Sequence, residues 1–143
     1  MAGALLALAC FLSACGGGGD STDATGSIAK AQLLKKGNVI CDKGNEEIHA
    51  NEERFLSEHR DDDYRGAMED VLPVRIKELR LLRALGLPAE GAEQWGAMLD
   101  AMEEGIRRAK QDPHSLLAGG SDYAFARAYR VGLAYGLRKC WLA

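Results

Sequence analysis

Proline is scarce, with Pro73, Pro88 and Pro113 the only three in 143 residues. Little therefore interrupts helices, and Ala, Leu, Glu and Arg, all strong helix formers, abound. Together these predict an all-α fold. Aromatic residues are also few, at 6%. No apolar run is long enough to cross a bilayer: the uncharged stretch Met1 to Ala14 falls well short of the ~20 residues a spanning helix needs. A basic stripe is lacking too. Net charge is -3 and both signs are mixed along the chain, which argues against nucleic acid as a partner. There is no long acidic block; the densest run, Asp61-Asp62-Asp63, reads as a solvated loop. No short motif for catalysis or a cofactor occurs, and no cofactor is expected. What remains is 47% apolar and 27% charged, the balance of one soluble globular domain.

The N-terminus has a different character. Ala4 to Leu12 form a short apolar run like the core of an export signal. Leu12-Ser13-Ala14-Cys15 follows at once and resembles the lipobox of bacterial lipoproteins. The resemblance implies cleavage after Ala14, with Cys15 lipidated and becoming the new first residue. Two or three acyl chains on one sulfur anchor stably where a single chain is marginal. No Lys or Arg precedes Lys30, so the usual basic opening of such a signal is missing; a start codon further upstream would supply it. The expected division is a signal over 1–14, the lipidated cysteine and a tether over 15–27, and a domain over 28–143. Gly16 to Gly26 contain only Gly, Asp, Ser, Thr and Ala and bury nothing. Such a tether reaches ~15–20 Å.

Four apolar stripes fill the domain. The first helix is expected from Ser27, as N-cap, to about Ser57, with Leu34, Gly37, Cys41, Gly44, Ile48, Asn51 and Phe55 inward. Glycines on that stripe imply close approach by a neighbouring helix. His59 to Tyr64 is a polar break. The second helix spans about Arg65 to Leu85, with Leu72, Ile76, Leu79 and Leu82 inward, and Pro73 requires a kink or a preceding short turn. Gly86-Leu87-Pro88 separates it from a third helix, Ala89 to Gln111, whose stripe is Ala92, Trp95, Leu99, Met102, Ile106 and Ala109. A loop over His114 to Gly120 brings Leu116 and Leu117 over the core. Ser121 caps a fourth helix, Asp122 to Cys140, with Phe125, Tyr129, Gly132 or Leu133, Gly136 and Cys140 inward. The expected architecture is an antiparallel four-helix bundle.

Cys10 leaves with the signal and Cys15 takes lipid, so Cys41 and Cys140 remain as a pair in an oxidising compartment. In such a bundle the first and fourth helices are neighbours, and both cysteines fall ~24–27 Å from the same end. A disulfide between those helices is expected, the alternative being two separately buried thiols. Closing a loop of ~100 residues stabilises by up to ~4.7 kcal/mol in the chain-entropy model.

A wider resemblance rests on Ile40-Cys41 with Lys43-Gly44-Asn45, on Tyr135-Gly136-Leu137 with Cys140, and on Leu116 to Phe125. Over most of residues 28–140 the chain resembles small helical secreted proteins and lipoproteins of actinobacteria. That resemblance implies a disulfide and an envelope location, and no activity. The lipid would sit in the outer leaflet of the cell membrane. In a host with two membranes, Gly16 after the cysteine favours the outer one.

Candidate chemistry is thin. His49 and Glu53 share one helix face and, with His59, form a possible metal-binding set. His114 and Ser115 lack a marked carboxylate partner and read as surface loop. Gly119-Gly120 before Ser121 reads as a turn and cap. Trp95, Phe125, Tyr129 and Tyr135 have helical spacing and read as core, whereas Trp141 faces the crosslink or a partner. The leading functional expectation is a non-enzymatic, lipid-anchored envelope protein that binds a protein, glycan or small solute. The alternatives are a metal-binding or metal-sensing module using His49, Glu53 and His59, and an enzyme with a dispersed site.

Overall fold

The computed structural model describes residues 27–57 and 66–140. Cys15, His59, the Asp61–Asp63 run and Trp141 lie outside the described residues. Within them the protein is helical, and the only strand-like pairing is an isolated bridge between Ile28 and Pro88. Four α-helices occur: α1 (Lys30–Ser57), α2 (Leu72–Ala84), α3 (Ala92–Gln111) and α4 (Ala126–Tyr135). A π-helical turn, Ala67–Val71, leads into α2, and 3-10 turns at Pro113–Leu116 and Gly120–Asp122 connect α3 to α4. Helix α1 packs on α2, α2 on α3, and α3 on α4.

Two helix starts lie later than expected, for one shared reason. Ile28 donates its N–H to Leu87 O (3.2 Å) and accepts from Ala89 N (2.9 Å). This pairing keeps residues 27–29 and 86–91 outside the helices, so Ser27 does not cap α1 and Pro88 does not open α3. The first bond of α1 runs from Leu33 N to Ala29 O, and that of α3 from Trp95 N to Gly91 O. Pro73 has the preceding turn that the sequence called for: it follows directly on the π-helical turn, whose widened backbone accommodates a residue without an N–H.

The last helix is much shorter than expected. The turn over Gly120–Asp122 precedes it, Phe125 rather than Ser121 holds the N-cap position, and Gly136 ends it. Gly136 has φ of 114°, and Leu137 N and Gly136 N close back onto Gly132 O and Leu133 O. This is a Schellman termination, and only glycine takes that conformation without strain. Cys140 therefore lies on a non-helical tail, not on the fourth helix. The tail runs along α1: the Arg138 and Lys139 amides both donate to Asn38 Oδ1 at 2.9 Å. Asn45 Nδ2 donates to Lys139 O at 2.7 Å. These bonds bring the Cys140 sulfur to disulfide distance from Cys41, across 99 residues of sequence.

Trp95, Met98, Met102, Phe125, Leu33, Leu82 and Leu137 form a fully buried centre. Burying each such side chain is worth about 1.5–3 kcal/mol. The α3 stripe is as expected from Trp95 to Ala109, except that Ala92 is exposed. Leu116 covers the core while Leu117 is exposed. Tyr129 and Leu133 point outward, because Ala128 and Gly132 occupy the inner face of the shortened α4.

Candidate functional site

The inner face of α2 carries a charged pair where an apolar stripe was expected. Ile76 is 41% exposed, whereas Arg75 and Glu78 are 1% and 2% exposed. The buried positions are Leu72, Val74, Arg75, Glu78, Leu79 and Leu82, which keep three-four spacing once the charged residues are admitted. Arg75 Nη1 lies 2.7 Å from Glu78 Oε2 and also donates to Cys140 O at 3.2 Å. The guanidinium thus joins α2 to the tail beside the sulfur pair.

Room for the carboxylate comes from Gly44. A Cβ built there would overlap Glu78 Oε1. The close approach expected at this glycine is therefore made by a side chain rather than by a helix backbone. Glu78 Oε1 and Arg75 Nε find no hydrogen-bond partner among the described residues. Burial pushes the Glu78 carboxyl above the usual carboxylate range, against the opposing charge and hydrogen bond of Arg75. Burial also raises the neighbouring Tyr123 phenol, with Arg75 opposing and Glu78 adding to the rise. Removing two charges from water usually costs more than their attraction returns, so this pair is not an economical way to stabilise a core. Its geometry holds the tail in place. Both groups are closed to solvent, so neither reaches a substrate in this conformation.

A second feature is electrostatic. The first half of α1 carries Lys30, Lys35, Lys36 and Lys43 against Asp42 alone. The second half carries Glu46, Glu47, Glu52 and Glu53 against Arg54 alone. The positive end of the helix macrodipole therefore meets one cation, Lys30, with no acid in the first turn. A misplaced terminal charge of this kind costs about 0.3–1 kcal/mol. The tail adds exposed Arg138 beside Asn38, and Arg130 from α4 lines, with Lys30, Glu90, Gly91 and Tyr135, an open groove of about 600 Å³. Lys30 Nζ sits 4.7 Å from the centre of the Tyr135 ring. Within α1 the two signs are thus segregated, and Arg130 and Arg138 add to its basic half, with Glu90 lining the same groove. Segregation within α1 was visible in the order of its residues; the contribution of Arg130 and Arg138 required the fold.

The remaining predicted residues are dispersed. His49 and Glu53 are exposed on α1, and no cluster of three or more metal-ligand side chains occurs among the described residues. His114 is exposed in the turn after α3, its amide donating to Asp112 Oδ1 at 3.2 Å, while Ser115 is buried with its hydroxyl donating to Asp112 O. Trp95 and Tyr135 pack with ring centres 5.7 Å apart. Sequence periodicity missed Arg75 and Glu78 because it admits only apolar residues inward; their i,i+3 spacing on the Leu72–Leu82 stripe, opposite a glycine, was the available signal.

No protein-family model, no curated protein and no solved structure matches this chain.

Proposed function

We propose that the chain is a lipid-anchored protein of the cell envelope, acylated at Cys15. Its helical domain is an antiparallel four-helix bundle acting as a non-enzymatic binding or structural module outside the cytoplasm. The observation that carries this reading is the Cys41–Cys140 pair at disulfide distance, deep in the core. Such a crosslink persists in an oxidising compartment and not in a reducing one. It agrees with the lipobox-like Leu12-Ser13-Ala14-Cys15 and with the resemblance to small helical secreted lipoproteins.

Two further observations support it. No helix among the described residues is long and apolar enough to cross a membrane, as fits attachment through lipid. The start of α1 bonds to the segment between α2 and α3, and Tyr135 at the end of α4 donates to Glu90 O at 3.4 Å. Helix starts and ends thus alternate at one end of the molecule, as an up-down-up-down bundle requires. The proposed domain binds through its surface, because its polar centre is closed.

Metabolic labelling with a fatty-acid analogue tests the anchor. The full chain is expected to incorporate label and fractionate with membranes, and Cys15→Ala to lose both properties. Unlabelled wild-type protein in the soluble fraction would overturn the reading.

A further inference from the structure

We propose that the end of the domain where α1 begins is a docking surface for anionic phospholipid headgroups, which orients the domain on its own bilayer. The proposal rests on the lipid-anchor reading only for bringing that bilayer within reach; the surface itself is observed.

Lys35, Lys36, Arg130 and Arg138 are exposed around this end, and Lys30 lies beside them. The opposite end carries exposed Glu46, Glu47 and Glu53 on α1 and Glu69 on the turn before α2. A chain of net charge -3 is repelled by an anionic membrane if its charge is spread evenly. Here exposed cations of α1, α4 and the tail gather at one end, beside exposed Glu90 and Glu93, while the acids of α1 lie at the other, so the basic end is the one attracted. Screening limits that attraction to about 10 Å. The described chain begins at Ser27, at the basic end, and 11 residues of sequence separate it from Cys15. Attachment through the same end also gives the bilayer a high effective concentration there. Lys30, in the first turn of α1 where the helix macrodipole disfavours a cation, then meets a partner that offsets the repulsion. An acidic soluble protein has the right charge but no such tether holding it at this end.

The test uses the mature chain, residue 15 onward, carrying Cys15→Ser, which removes acylation and leaves the surface intact. Its binding to phosphatidylcholine vesicles is measured by co-sedimentation, with and without phosphatidylglycerol, at low and high salt. Binding is expected only with phosphatidylglycerol and is lost at high salt. Each cation removed from a membrane-facing surface lowers partitioning about fivefold, so Lys35→Gln/Lys36→Gln/Arg138→Gln together lower it about a hundredfold. The triple Arg107→Gln/Arg108→Gln/Lys110→Gln, at the far end of α3, makes the same change in net charge and keeps wild-type binding. These positions are all exposed, so both triples fold; unchanged thermal midpoints check this. No binding, equal binding to both vesicle types, or equal loss in the two triples would overturn the proposal. A failure of fatty-acid labelling in cells would remove the anchor and leave this result standing.

Discussion

Replacing the members of the Arg75–Glu78 pair singly and together gives asymmetric costs. In Glu78→Leu the guanidinium stays buried at 1% exposure with no carboxylate, and it cannot shed its proton. Leaving one buried charge uncompensated costs about 3–5 kcal/mol. For a domain of this size 1 kcal/mol moves the midpoint by about 4 °C, so the melt falls by about 12–20 °C. In Arg75→Met the remaining carboxyl has an escape: it takes up a proton, as burial already inclines it to do. The loss is then chiefly hydrogen bonds, those to Glu78 and to Cys140 O, about 1–3 kcal/mol. The double variant removes both charges and is less destabilised than Glu78→Leu alone, because a matched apolar replacement of a buried pair is often neutral or better. Urea and thermal unfolding of the four proteins, all with the crosslink intact, close the double-mutant cycle. Equal costs for the two single variants, or a double variant as damaged as their sum, would refute the reasoning.

The same pair sets a pH dependence. Because burial raises the Glu78 carboxyl above its ordinary value, the folded chain holds a proton that the unfolded chain has released in the interval between the two values. Its contribution is fully present below the ordinary carboxylate value and is lost as pH rises through the raised one; urea midpoints measured against pH should show this fall in wild type and lack it in the double variant. Two glycines on helices should respond oppositely to alanine. Gly44→Ala drives a Cβ into the Glu78 carboxylate and costs about 1–3 kcal/mol, whereas Gly96→Ala meets open space within α3 and gains about 0.5–1 kcal/mol, both read by chemical denaturation.

The legible parts of the fold are those where one principle acts alone. The α3 stripe from Trp95 to Ala109 is a clean apolar periodicity and appears as such. Pro73 and Gly86 mark helix ends by their backbone chemistry, and both do so here. The departures arise where two segments distant in sequence meet. Ser27 is a good cap in isolation, but the pairing of Ile28 with Pro88 keeps the chain out of the helix until Lys30. Tyr129 fits the expected stripe of large apolar residues, but close packing puts the small Ala128 and Gly132 on the inner face of α4 and turns Tyr129 outward. The cysteine pairing survives this because the tail lies along α1 where a longer helix was expected. Arg75 and Glu78 were invisible to a rule that keeps charge outside, since burying them depends on Gly44 and Cys140, far away in sequence.

Location and crosslink meet in the intact mass of the full chain extracted from cells under non-reducing conditions. The account predicts a species lacking residues 1–14, heavier by a diacylglyceryl-type addition at Cys15, and lighter by the two hydrogens lost on joining Cys41 to Cys140. A chain that retains Met1, carries no acyl mass and has both thiols free to alkylate would contradict it.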